Sequence, residues 1–291
     1  MTAPALEFRG VTVRKRRRAL VDDVTFSVPN GTVHALLGHN GAGKTTLLRV
    51  LCDLIPITTG SIHSNGRATV LFAENAFPGE IRVSEVLRYA QRVCRVDQDR
   101  ASKVIATTGV SQFLDQRVAF LSTGMRQRVA ITTALLGETA TLVLDEPTSG
   151  LDPQGIDALL GLLDALRAEG RTVIICSHDL AQLETICDGV TCLRAGSVVA
   201  DGPVHRIALE VETAGHLLRT AEDPRAVRVL SGVGLTVHAT ARGIYAPRTT
   251  DLTSVILALA SHHVTVLDVT ADSGLFTRIY HRYASAPPST R

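Results

Sequence analysis

Two periods of apolar residues succeed one another along the first two thirds of the chain. Leu6 to Val13 and Leu20 to Val28 alternate apolar with polar positions, which predicts two antiparallel strands with one wet face, and Pro29-Asn30-Gly31 predicts a turn after the second. Val33 to Leu37, Thr141 to Asp145 and Thr172 to Ser177 are short, nearly continuous apolar runs, as expected of strands buried on both faces of a parallel sheet. Helical spacing marks Thr46 to Ile55, stopped by Pro56. It returns at Met125 to Leu136, and at Ile156, Leu159, Leu160, Leu163 and Leu166, where Gly170 closes the helix. Between these, residues 83–118 carry Val86, Leu87, Ala90 and Val93, then Val104, Ile105 and Phe113, at helical spacing, and read as a helical insert. GSIHSNGRATVLF predicts a hairpin at Asn65-Gly66 followed by a strand, and Ala195-Gly196 predicts a second hairpin between Val190 to Leu193 and Val198 to Ala200.

The texture weakens after Asp201-Gly202-Pro203, where a domain boundary is expected, giving a first domain over residues 1–203. Beyond it, Ile207 to Val211, Leu235 to Thr240, Ile244 to Pro247 and Val264 to Val269 read as strands and Asp251 to Ala260 as a helix. That mixture suits a small α+β module of ferredoxin-like type over residues 204–283, with a disordered tail over residues 284–291.

Composition changes this picture little. With 291 residues and 45% hydrophobic content the chain can bury a large core, and a net charge of +2 gives no global reason to expect a nucleic-acid partner. The charge is uneven, however, with five consecutive cations from Arg14 to Arg18. No apolar run approaches the roughly 18 residues of a membrane span, and the start MTAPALEFRG lacks the regions of a signal peptide, so a cytoplasmic protein is expected. Cys52, Cys94, Cys176, Cys187 and Cys192 fit neither a disulfide framework nor a zinc site.

The chemistry concentrates in three motifs. GHNGAGKT, Gly38 to Thr45, lies between an apolar strand and a helix and fits the phosphate-loop template of Gly, four residues, Gly-Lys-Ser/Thr. In it Gly38, His39, Asn40, Gly41, Ala42 and Gly43 would crowd backbone N–H groups around a triphosphate. Lys44 would reach the β and γ phosphates, Thr45 would offer its hydroxyl to Mg²⁺, and Thr46 opens the helix. LVLDEPTSGLDP places Asp145 and Glu146 at the C-terminal end of a buried strand, where open α/β sheets bind ligands. Asp145 suits Mg²⁺ and Glu146 suits a general base for the attacking water. LSTGMRQR starts a helix, so Ser122 and the N–H groups near Gly124 would form an anion cradle.

The order GHNGAGKT, LSTGMRQR, LVLDEPTSGLDP, CSHDL resembles the ATP-binding cassette (ABC) ATPases over about two thirds of the chain. The resemblance implies a P-loop NTPase cassette with a mixed central sheet, an antiparallel β subdomain and a helical insert. It also implies two copies sandwiching ATP head to tail and a separate multi-span permease at the cytoplasmic face of the membrane. Ser122, Thr123 and Gly124 would then cap the γ phosphate across the dimer, Asp152 would couple the two sites and His178 would contact the γ phosphate. The sequence departs from the family at three places. Glu74 stands where a metal-touching glutamine is usual, Thr123 and Met125 replace the commoner glycine and glutamine, and no aromatic occupies the adenine-stacking position, leaving Arg14 or Lys15 as substitutes. The module after Gly202 resembles the extension of drug and polyketide exporters, which implies export. The rival expectation is a soluble ABC ATPase acting on nucleic acid or the ribosome through Arg14 to Arg18; the chain lacks the tandem cassettes, coiled coils or zinc modules typical of such proteins, so no specific nucleic acid is expected.

Overall fold

The computed structural model describes residues 3–16, 18–73, 77–137, 139–177, 184–211, 215–240, 243–247, 250–272, 275–279 and 282–283. The tail expected to be disordered, the metal-side Glu74 and the expected γ-phosphate contact His178 lie outside these described residues. The chain divides into two compact units, Met1–Val204 and His205–Arg291, each with its own hydrophobic core.

The first unit runs through β1 (Leu6–Lys15), β2 (Arg18–Val28), β3 (Val33–Leu37), α1 (Lys44–Leu51), β4 (Thr59–Ser64), β5 (Ala68–Leu71), α2 (Val83–Cys94) and α3 (Gln98–Thr108). After short 3₁₀ turns at Val110–Phe113 and Val118–Phe120 come α4 (Thr123–Leu136), β6 (Thr141–Asp145), α5 (Pro153–Ala168), β7 (Thr172–Ser177), β8 (Gly189–Arg194) and β9 (Ser197–Pro203). A six-stranded sheet has the order β5-β6-β7-β3-β8-β9, parallel except for the antiparallel β8–β9 pair, and a three-stranded antiparallel sheet has the order β2-β1-β4.

Every residue of β3, β6 and β7 is buried, which is why their sequences are apolar without alternation. β2 alternates instead, turning Val24, Phe26 and Val28 inward, and Phe26 stacks on Phe8 of β1 with ring centroids 4.5 Å apart. Each such fully buried side chain contributes about 1.5–3 kcal/mol relative to exposure, so the wet-faced strands are held by one face only. In the helical insert α2 and α3 both pack on α4.

Two local expectations fail in this unit. Asn65-Gly66 does not close a hairpin: β4 pairs with β1 whereas β5 pairs in parallel with β6, so the turn hands the chain from one sheet to the other. Asn65 N–H donates to the carbonyl of Ala5 at 2.9 Å, and Gly66 takes a φ of 91°. The apolar run of β5 finds a buried parallel partner there that a half-wet hairpin would not supply. The helix after the phosphate loop also stops early, at Leu51, because Asp53 turns left-handed at a φ of 56° and Leu54 N–H closes onto the Arg49 carbonyl at 2.8 Å. Ala195-Gly196, by contrast, forms the two-residue turn its sequence implies, with φ of 48° and 87°.

α6 (Val204–Glu210) follows, and it corrects the strand expected at Ile207 to Val211. A strand would have placed Ile207 and Leu209 on one face, yet Ile207 is buried and Leu209 is 87% exposed. The second unit continues through β10 (Gly215–Thr220), α7 (Asp223–Gly232), β11 (His238–Thr240), β12 (Gly243–Pro247), α8 (Leu252–Ser261), β13 (Val266–Asp272) and α9 (Leu275–Ile279). Its sheet order is β11-β12-β10-β13 with every pair antiparallel, so the βαββαβ run from β10 to β13 is the ferredoxin-like arrangement. Leu218, Ile244 and Ala246 from the sheet meet Ala226, Leu230, Val255 and Leu259 from α7 and α8 in its core.

Candidate phosphate-binding site

The buried strand β3 ends at Leu37, and the chain must turn sharply to start α1 at Lys44. Gly43, the N-cap of α1, has a φ of 112°, and a Cβ there would stand 3.2 Å from the carbonyl oxygen of Leu20, so only glycine fits without strain. A Cβ on Gly38 would stand 2.7 Å from the Leu193 carbonyl oxygen, which fixes the start of the loop equally tightly. The result is a run of backbone N–H groups at the positive end of α1.

Lys44 is only 6% exposed. Its ammonium donates to the Gly38 carbonyl at 2.5 Å and lies 4.0 Å from Oε1 of Glu146. Glu146 follows the end of β6, which is separated from β3 by β7; in register, Cys176 of β7 stands between Leu36 and Asp145. The backbone of Glu146 is left-handed at a φ of 51°, held by its N–H donating to the Cys176 carbonyl at 2.7 Å. Such a conformation costs a non-glycine residue about 1–3 kcal/mol, and here it sets the carboxylate beside Lys44.

Asp145 is 9% exposed, and burial together with the Glu146 charge pushes its carboxyl above the ordinary carboxylate range, with Lys44 and Arg49 pulling the other way. This corner of the cleft therefore still favours added positive charge. A hydroxyl from Thr45 and two carboxylates are hard oxygen donors suited to Mg²⁺, which typically takes one or two carboxylates and completes its shell from phosphates and water. Among the described residues no group of three His, Cys, Asp or Glu forms an all-protein metal cage.

These groups share one cleft of about 570 Å³. It contains His39, Asn40, Gly41, Gly43, Lys44, Thr45, Thr46, Asp145 and Glu146, all but Gly38 and the buried Ala42 of the expected phosphate-loop set together with both carboxylates. It does not contain Ser122, Thr123, Gly124 or Asp152. Ser122 caps α4 by accepting the Met125 N–H at 3.2 Å, and Asp152 caps α5 by accepting the Gly155 N–H at 2.8 Å. Arg126 braces the start of α4, donating to the Leu121 carbonyl at 2.7 Å and to the Thr123 hydroxyl at 3.4 Å. Gly124 packs on the turn before α5, where a Cβ would meet Leu151 at 3.5 Å.

The cleft is also lined by residues that sequence reasoning missed: Arg18, Ala19 and Leu20 of β2, and Ala195 of the β8–β9 turn. Arg14 instead lies 3.8 Å from Asp22. Only the pairing register of the β1–β2 hairpin, which opposes Arg14 to Ala19 and Lys15 to Arg18, could have pointed to them.

A glycine loop between buried strand and helix, its lysine facing a carboxylate pair from a strand one removed, defines a P-loop nucleoside triphosphatase. Comparison with known proteins narrows the class. The family profile described as ABC transporter matches residues 21–149. The Nod factor export ATP-binding protein I of Burkholderia orbicola is 30% identical over 245 residues, covering 78% of this chain and 80% of its own length. A phosphonates import ATP-binding protein of a Synechococcus species is 35% identical over 217 residues, covering 65% of this chain and 81% of its own length. A solved ATP-binding subunit of an ABC transporter superposes with a TM-score of 0.64 at 28% identity, covering 71% of this chain and 92% of that one. The chain belongs to the ATP-binding proteins of ABC transporters, ATPases coupled to transport.

Proposed function

We propose that this ATPase works as a head-to-tail pair of copies with bound Mg²⁺, on the cytoplasmic face of a membrane, and drives export through a separate multi-span permease. One observation carries the paired site: Lys44 and Glu146 meet at 4.0 Å in a cleft whose lining leaves out Ser122, Thr123 and Gly124. The positive end of α4 is thus available to a second copy, where a two-fold arrangement would bring it to the γ phosphate. Among the described residues no helix is long and apolar enough to cross a membrane, so the permease is a separate partner in this reading.

The residues divide the work. Backbone N–H groups from Gly38 to Thr45 and the Lys44 ammonium bind and orient the β and γ phosphates. Glu146 accepts a proton from the attacking water as the water oxygen bonds to the γ phosphorus. The bond from that phosphorus to the bridging oxygen breaks, and its electron pair leaves on ADP. Thr45 and Asp145, with Glu74, would hold Mg²⁺, which when bound neutralises charge on the phosphates. His178 would contact the γ phosphate and Asp152 would link the paired sites. Export, rather than import, is supported by the ferredoxin-like second unit and by the similarity to an export ATP-binding protein.

In the Glu146→Gln variant, ATP should accumulate a dimer on size-exclusion chromatography while turnover nearly vanishes. Normal hydrolysis would remove Glu146 as the base, and a monomer under all nucleotide conditions would remove the paired site. Purification in detergent with a multi-span protein supports the transporter; salt-sensitive nucleic-acid binding without a membrane partner overturns it.

A further inference from the structure

We propose that the notch between α3, α4 and the turn from α5 to β7 is a second ligand site, which takes a small, doubly charged oxyanion: a phosphate group. It lies within the first unit and apart from the nucleotide cleft, since no residue lines both cavities. The notch measures about 200 Å³ against about 570 Å³ for that cleft, room for a phosphate or a small phosphomonoester and too little for a nucleotide.

Its walls follow from helix spacing. Arg100, Lys103 and Thr107 stand at i, i+3 and i+7 of α3 and so share one face, which looks across at Glu169 and Arg171 of the turn. Val104, Leu135 and Leu166, all buried, close the floor. Three cations thus meet one carboxylate, and that carboxylate is already engaged: the Thr107 hydroxyl donates to Glu169 Oε1 at 3.0 Å and Arg171 Nε donates to Oε2 at 3.4 Å. Lys103 and Arg171 have donors to spare. Among the described residues the Lys103 ammonium makes no hydrogen bond or ion pair, although Asp99 stands one helical turn before it.

Arg171 supplies what a solvated lysine alone would lack, a guanidinium fixed in place. Its Nη1 donates to the Thr139 carbonyl at 2.6 Å, its side chain is 24% exposed, and its Nη2 has no partner among the described residues. A fork held in this way, beside a mobile ammonium, matches the geometry of an oxyanion. The C-terminal carbonyls of α5, which would repel one, are occupied: Leu166 accepts the Arg171 N–H at 3.0 Å and Arg167 accepts the Gly170 N–H at 2.8 Å. An anion bound by Lys103 on one side and Arg171 on the other ties the helical insert to the start of β7. Because α3 also packs on α4, whose N-cap is Ser122, occupancy of the notch reaches the anion cradle through one helix–helix contact.

The test is titration of the full chain with inorganic phosphate, glycerol phosphate and acetate at constant ionic strength, with saturating ADP to fill the phosphate loop, read by calorimetry and amide hydrogen exchange. Phosphate should bind with a Kd of about 1 mM and acetate at least about tenfold more weakly, and phosphate should slow exchange in Gln98–Thr108 and in residues 169–171. Lys103→Glu reverses one exposed charge and leaves the core untouched; it should weaken phosphate at least about tenfold and abolish the slowing, with ADP affinity unchanged, while Lys103→Arg should keep both. Glycerol phosphate binding as well as phosphate would identify an organic phosphate as the ligand, and its exclusion would identify the free ion. No phosphate binding to the parent chain, equal binding of acetate, or unchanged phosphate affinity in Lys103→Glu would overturn the proposal. So would slowing confined to the phosphate loop. Failure of ADP to bind would overturn the assignment of the nucleotide cleft instead, and the difference between parent and Lys103→Glu would still decide the notch.

Discussion

The strand that carries the phosphate loop has a titratable group buried at its other end. His34 of β3 is 2% exposed, and burial holds its pKa down at about 4 against an ordinary 6.5. Its Nε2 lies 2.7 Å from the Thr191 hydroxyl, whose own proton goes to Asp201 at 2.7 Å. His34 therefore donates from Nε2, and the bare Nδ1 is the atom that must take up a proton in acid. Among the described residues that atom has no hydrogen-bond partner, and it faces the backbone of Gly189, where even a Cβ would stand 2.6 Å away. The sign follows: the folded state binds this proton less readily than the unfolded state, so the stability from neutral His34 is complete above pH 6.5 and is lost as pH falls towards 4. Between pH 7 and pH 5 the loss is about 2 kcal/mol, or about 4–8 °C in the melting temperature of a unit this size. His34→Leu removes the titration and leaves the Thr191 proton on Asp201. Melting curves of parent and variant across this range should therefore converge as pH falls, with the variant gaining about 2 kcal/mol relative to the parent. Parallel pH profiles would refute the reasoning, because other acid-sensitive groups are common to both chains.

Two further predictions address the site. Lys44→Ala removes a charge-assisted contact worth about 1.5–3 kcal/mol and should weaken ATP binding by about 10- to 100-fold in a titration; unchanged affinity would count against the phosphate loop. Asp152→Ala should cost about 1 kcal/mol as α5 loses its cap, whereas Asp152→Asn preserves a good cap, so chemical denaturation should separate the two. If Asp152 also links paired sites, the Asn variant will keep parent stability while its ATPase rate falls; equal stability and equal rate would leave it a cap alone.

The site was legible in sequence where its chemistry is local. Gly38 to Thr45 is contiguous, and its conformation is demanded by a short strand-to-helix turn, so Lys44 and Thr45 could be named from spacing alone. Asp145 and Glu146 were legible because an unbroken apolar run announces a buried strand, and ligands gather at the ends of such strands. Ser122 was visible at a helix start, whereas Asp152 entered only through the family resemblance. What spacing could not show is that both serve as caps within this chain while standing outside the cleft. Ile207 misled because alternation over so short a segment fits a helix end as well as a strand.

By itself the sequence determined the buried strands β3, β6 and β7, the phosphate loop, the carboxylate pair and the two alternating strands, since each follows from contacts within a few residues or from burial on one face or two. Tertiary structure alone decided which strand lies beside which. That choice split the Asn65-Gly66 turn between two sheets, placed β7 between β3 and β6, and turned Glu146 left-handed towards Lys44. It also brought Arg18, rather than Arg14, to the cleft, because a hairpin residue's place depends on register and on the brace from Ala42 through Gly196 to Asp22. The contacts of β3 with β7 and of Gly196 with Ala42 and Asp22 join residues more than a hundred positions apart, and no local pattern of apolar and polar residues encodes them.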